Sequence, residues 1–155
     1  MSTSACFAQS GQQQISKERV GNVLSCLITK LGPKDFGPQQ SASGIYKVRY
    51  FYGILTPDYE KDNELQLFVF HADGAEADFY RVYFDKEKGG QDSIYIGDGG
   101  SIKKEKGHWV PDEISGGLAS YDEMVKVTKQ IEKQPDLIIE QKDVVSGNYV
   151  CVFDQ

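Results

Sequence analysis

The chain has 155 residues, with 23 acidic against 17 basic side chains and a formal net charge of −6. It therefore repels phosphate backbones and anionic membrane surfaces unless a local basic patch overrides the net field. Hydrophobic residues at 39% beside 26% charged ones give a globular balance at a length suited to one core. No apolar run exceeds about five residues, far short of the roughly 20 that a membrane-spanning helix needs.

The opening MSTSACFAQSGQQQ lacks the basic n-region and apolar h-region of a secretory leader. It predicts a flexible tail over 1–15, followed by a single α+β domain over 16–155. Cys6, Cys26 and Cys151 have no C-x-x-C spacing and are too sparse for a disulfide scaffold or a zinc site. The economical reading is free thiols in a reducing, cytoplasmic compartment, with one bridge from Cys6 to either other cysteine left open.

Residues 16–31 place Val20, Val23, Leu24, Leu27, Ile28 and Leu31 on one face at helical spacing. Ser16 is the expected N-cap, and the LGP of 31–33 the expected stop. Cys26 falls off the apolar stripe, which predicts an accessible thiol. The Pro-, Gly- and Ser-bearing stretch 33–44 reads as a connecting loop.

From residue 45 the period changes to two. Tyr46, Val48, Tyr50, Tyr52 and Ile54 alternate against Lys47 and Arg49, the pattern of a half-buried strand. Strand-like runs follow at 65–71, 77–84, 93–96 and 101–110, separated by Asp-Gly and Gly-Gly signals. Turns this short join only antiparallel neighbours, so an antiparallel meander is expected.

The glycines of Gly97-Asp98-Gly99-Gly100 are expected to form a hairpin turn. A phosphate loop needs a helix after its glycines, and no helical pattern starts before about residue 119. Nucleotide binding at Asp98, Gly99 and Gly100 is therefore not expected. Lys103, Lys104 and Lys106 read as a solvated edge.

Residues 111–118 read as loop. A second helix then opens with Ser120 and Glu123 in capping-box spacing, buries Met124, Val127 and Ile131 with Tyr121 and Val125 beside them, and stops at Pro135. Two strands close the chain at 136–140 and 148–153. The continuous apolar YVCVF suggests burial on both faces, with Cys151 as a small core residue. The fold class is then α+β: an antiparallel meander sheet with an N-terminal helix, a second helix packed on one face, and a C-terminal strand pair.

Several constellations are candidates for chemistry. His71 and Asp73 form H-x-D, which Asp78, Asp98, Asp112 or Glu113 would have to complete as a metal site; the plainer reading is a surface histidine at a turn. His108, followed by Trp109, Pro111, Asp112 and Glu113, is the best acid–base cluster. A nucleophilic Cys26 would need a histidine partner. The series Tyr46, Tyr50, Tyr52, Phe68, Phe70, Phe79, Tyr80, Tyr83 and Phe84 suits a core, a pocket or an interface.

No motif demands a cofactor or a metal. The leading expectation is a non-catalytic protein-binding module of inhibitor, immunity or adaptor type, using Trp109, His108, Tyr46, Tyr50 and Tyr52. Its partner is expected to be another protein, not nucleic acid or membrane, with oligomeric state open. The alternatives are a small-molecule-binding domain with a cavity between sheet and helix, and a small hydrolase-type enzyme centred on His108.

Overall fold

The computed structural model describes residues 14–32, 36, 44–53, 64–86, 92–114 and 120–153. The first helix, α1 (Lys17–Leu31), starts where Ser16 Oγ accepts the Arg19 N–H at 3.1 Å. It ends at Gly32, whose φ of 86° lets its N–H return to the Ile28 carbonyl at 2.7 Å. Of the expected flexible tail, residues 1–13 lie outside the described residues. Ile15 is buried, and its N–H donates to Tyr50 Oη at 3.3 Å.

Among the described residues the chain has seven strands: β1 (Ile45–Tyr52), β2 (Leu65–Phe70), β3 (Glu76–Lys86), β4 (Asp92–Glu105), β5 (His108–Glu113), β6 (Leu137–Glu140) and β7 (Tyr149–Phe153). Six of them form a sheet of order β5-β4-β3-β2-β1-β6 with antiparallel neighbours, and β7 joins it off this path, on β4. The second helix, α2 (Tyr121–Glu132), begins with both reciprocal bonds of a capping box between Ser120 and Glu123. Of the turns expected at 56–64 and 85–92, residues 56–63 and 87–91 lie outside the described residues, as do Ile54 and most of 33–44.

The GDGG segment is not a hairpin turn: it lies inside β4, a 14-residue strand. Tyr80 pairs with Asp98 and Phe79 with Gly100, so Gly99 is an extra residue, a β-bulge. The bulge reverses the alternation: Ile94 and Ile96 face α1, whereas Ile102 faces α2. Glycine is needed because a Cβ on Gly99 would run into the Phe79 ring, and one on Gly100 (φ 107°) into the Glu113 carbonyl. The Asp98 carboxylate accepts the Gly100 N–H at 2.9 Å and fixes the kink. The hairpin lies further on, at Lys106 (φ 51°) and Gly107 (φ 83°), between the paired Glu105 and His108. Residues 111–113, expected in a loop, continue β5, and Pro111 is tolerated there because β5 is an edge strand.

The two C-terminal strands form but do not pair with each other. β6 lies on β1, whereas β7 runs parallel to β4 from Asp92 to Ile96. The connection between them begins with a 3₁₀ turn, Gln141–Asp143. It packs against α1 at Gly21, where a Cβ would collide with the Asp143 carbonyl.

β7 is consequently an edge strand and not a doubly buried one. Tyr149, Cys151 and Phe153 pack on the core, while Val150 is 42% exposed. Covered by this segment, Cys26 is only 1% exposed and is joined in a disulfide to Cys151. This corrects the expectation of free thiols and of an accessible Cys26. Sequence periodicity counts only the stripe facing the sheet, and the C-terminal segment buries a second side of the helix.

Apolar residues cover both faces of the sheet. On one, α1 contributes Val20, Val23, Leu24 and Leu27 against Val48, Leu67 and Val82. The second helix packs on the opposite face, setting Met124, Val127 and Ile131 against Phe68, Phe70 and Phe79. β2 lies between the two layers and is buried at all six positions. Its one polar member, Gln66, donates to Glu64 Oε2 at 3.0 Å, and Glu64 in turn takes a two-pronged contact from buried Arg81 at 2.9 and 3.0 Å.

Candidate functional site

Beyond the C-terminal end of α2, the sheet face opens into a cleft of about 330 Å³. Alternating positions of β1 supply Ile45, Lys47 and Arg49; the last residue of β2 supplies Phe70; the β2–β3 turn supplies His71, Ala72 and Gly74. Lys104, Trp109 and Asp136 complete the wall. The volume falls near the lower end of the roughly 300–1,000 Å³ typical of ligand sites.

Three of these side chains are permanent cations and one is a carboxylate. Arg49 is held in place: its Nε donates to Asp136 Oδ1 at 2.7 Å, its Nη1 to the Ile131 carbonyl at 3.4 Å, and its guanidinium lies 5.0 Å from the centre of the Phe70 ring. Lys47 shares Asp136 at 3.5 Å. Phe70 and Trp109 meet at 5.1 Å with ring planes 42° apart, and the Lys104 ammonium sits 5.6 Å from the centre of the Trp109 ring. Phe70 pairs with Ala77 in the register; the small side chain there leaves room for the two rings to meet.

Of the five residues expected to bind a partner, Trp109 alone lines this cleft, beside Phe70 of the aromatic series and His71 of the H-x-D pair. It is 8% exposed, with its backbone N–H held by Glu132 Oε2 at 2.8 Å, so most of the indole belongs to the core beneath α2. His108 does not line the cleft: its side chain is 78% exposed, with Glu132 3.7 Å away. Asp112 turns to Lys103 at 3.7 Å.

Tyr46, Tyr50 and Tyr52 lie on the other face, packed against the α1 core. Tyr46 is buried with its hydroxyl donating to Gln141 Oε1 at 3.2 Å, and burial raises its pKa. Tyr50 and Tyr52 meet edge to face at 6.4 Å. Burial raises the Tyr52 pKa as well, Tyr50 adds to the rise and Arg19 opposes it. The structure therefore divides the five expected residues between two faces of the sheet and a hairpin.

His71 does not join Asp73, whose carboxylate caps the turn by accepting the Ala75 N–H at 2.9 Å. Its Nε2 lies 3.3 Å from Asp78 Oδ1, within ion-pair range but too poorly aligned for a hydrogen bond. Burial pushes the Asp78 carboxyl above its ordinary pKa; His71 counters this, and Asp98 and Glu76 add to it. Among the described residues no group of three or more His, Cys, Asp or Glu side chains gathers as a metal site.

Lys47, Arg49, Lys104 and Asp136 were not singled out as site residues by the sequence, whereas Phe70 belonged to the aromatic series that suited a core, a pocket or an interface. Lys47 and Arg49 look like the solvent side of an ordinary strand, and Lys104 like part of an exposed basic run. The tight turn at Lys106–Gly107 sets Lys104 opposite Trp109, and the β1–β2 register sets Lys47 opposite Phe70. No helix among the described residues is long and apolar enough to cross a membrane. Comparison of the chain with protein-family models, curated proteins and solved structures finds no match.

Proposed function

We propose that this protein is a non-catalytic binding domain that engages an acidic surface of another protein through the cleft lined by Lys47, Arg49, Lys104, Phe70 and Trp109. The observation that carries the reading is the concentration of three cations against one carboxylate on an aromatic floor, in a chain whose net charge is −6. Such a local reversal of sign attracts anionic groups while the rest of the surface repels polyanions. That balance favours a discrete acidic patch on a protein over a nucleic-acid backbone. Aromatic and arginine side chains are the usual anchors of protein interfaces.

An anionic small molecule is the second reading, favoured by the cleft's volume of about 330 Å³. The setting we favour is an oxidising compartment, because a disulfide between Cys26 and Cys151 persists where thiols are not kept reduced. The expectation of a cytoplasmic protein rested on free thiols and loses that ground.

Trp109 is the only tryptophan in the chain, so its fluorescence reports on the cleft directly. Titration with oligoglutamate, oligolysine and free glutarate should give a saturable emission change with oligoglutamate, weakened by salt, and none with oligolysine. Tighter binding of glutarate than of oligoglutamate would favour the small-molecule reading. Silence with every anion would overturn the cleft as the working site.

A further inference from the structure

The cleft's charges are not pooled at one point. Arg49, Phe70, Trp109 and Lys104 are linked in series by contacts of 5.0, 5.1 and 5.6 Å, with the two cations on β1 and β4, three strand spacings apart in the sheet. Each cation has capacity left. Arg49 uses Nε and Nη1 on Asp136 and Ile131, and among the described residues its Nη2 makes no hydrogen bond. Lys104 makes no ion pair among the described residues, in contrast to Lys103, which reaches Glu105 and Asp112. The two rings between them offer an apolar platform with no charged group of its own.

A ligand matching this row carries an anionic group at each end and an apolar group in the middle. In an extended peptide, alternate side chains point the same way about 6.7 Å apart, so residues i and i+4 stand about 13 Å apart on one side with i+2 between them. That span is of the same order as the roughly 14 Å of three strand spacings that separate β1 from β4. We propose that the cleft selects an extended acidic segment of a partner protein, with carboxylates at i and i+4 meeting Arg49 and Lys104 and an apolar side chain at i+2 resting on Phe70 and Trp109. This inference rests on the reading of the cleft as an acceptor of acidic protein groups, and adds the spacing and the central apolar residue.

The test uses three capped pentapeptides, Glu-Ser-Leu-Ser-Glu, Gln-Ser-Leu-Ser-Gln and Glu-Ser-Ser-Ser-Glu, titrated into the full chain with Trp109 emission as the readout. The first should bind at least about tenfold more tightly than either of the others, a tenfold change corresponding to about 1.4 kcal/mol. Lys104→Gln should remove about that factor for the first peptide and leave the second unaffected. Arg49→Gln is the companion variant, compared at matched folding because it also releases Asp136.

Equal binding of the two acidic peptides would overturn the central apolar residue while leaving the acidic-cleft reading intact. Equal binding of the glutamine peptide, or no effect of Lys104→Gln, would overturn the two-ended charge match. Failure of all three peptides, with oligoglutamate still binding, would overturn the spacing alone. Failure of oligoglutamate as well would overturn both readings.

Discussion

Cys26, in the middle of α1, and Cys151, at the centre of β7, are joined by a disulfide across 125 residues of sequence. The bond ties an edge strand, whose one strand neighbour among the described residues is β4, to a helix buried against the sheet. Cross-linking distant positions restricts the unfolded chain, an effect worth about 2 to 5 kcal/mol for loops of this size. Reduction under native conditions, or the pair Cys26→Ser with Cys151→Ser, is expected to lower the urea midpoint accordingly. With three cysteines in the chain and two of them bonded, one thiol should titrate in the unfolded, unreduced protein. Three reactive thiols would show that the bond is absent.

The bulge in β4 gives a second expectation. Gly100 combines a φ of 107° with a backbone carbonyl, that of Glu113, where a Cβ would sit. Gly74, at φ 73° in the β2–β3 turn, has open space around its Cβ position. Gly74→Ala should therefore cost only the left-handed backbone penalty, about 1 to 2 kcal/mol. Gly100→Ala should cost more, since β5 must also move away from β4. Equal urea midpoints for the two variants would remove the steric account of the glycine pair in β4.

These glycines also mark where sequence reading succeeds and where it stops. Helix α1, the capping box at Ser120 and the antiparallel pairing of the meander were legible because each follows from local periodicity, caps or short connections, whereas the run expected as one strand over 101–110 is divided between β4 and β5. The bulge was not, because Asp-Gly followed by Gly is the same local signal whether the chain reverses or kinks. What decides is the partner: Phe79 and Glu113 fill the space a side chain would take, and both are distant in sequence. The cleft was hidden for a related reason, since Arg49, Phe70, Trp109 and Lys104 converge only after the five strands β1 to β5 are in register. Trp109, Phe70 and His71 could each be singled out, but for separate reasons, and the cations beside them could not.

Asp78 carries a pH expectation. Burial, reinforced by Asp98 and Glu76 and opposed by His71, raises its pKa in the folded protein. At low pH the carboxyl is protonated in both folded and unfolded states and contributes nothing. As pH rises through the folded value, ionisation is harder in the folded state, and stability is lost. Asp78→Asn removes that loss, so the variant should gain on the wild type at about pH 8, where an ordinary imidazole is uncharged, compared with about pH 3. Urea midpoints of both proteins at the two pH values provide the comparison. A wild-type advantage that grows with pH would show that the His71 contact outweighs burial.

Trp109 decides how the cleft is built. An interface anchor in the usual sense stands exposed in the free protein, and its truncation weakens binding without touching the fold. Trp109 is 8% exposed, meets Phe70 at 5.1 Å and shares a cluster with Met124, Val127 and Ile131 of α2. Trp109→Ala should consequently cost about 3 to 5 kcal/mol of stability. With a urea dependence of about 1 to 3 kcal/mol per molar for a small protein, the midpoint should fall by about 1 M or more. Trp109→Phe keeps an aromatic side chain in the same space and should preserve more of the stability, which makes it the variant to use when binding is measured by calorimetry. A midpoint for Trp109→Ala within about 0.2 M of the wild type, a difference of only a few tenths of a kcal/mol on that slope, would show that the indole is not part of the core. The floor of the cleft would then be a mobile side chain and not the fixed platform that the row from Arg49 to Lys104 requires.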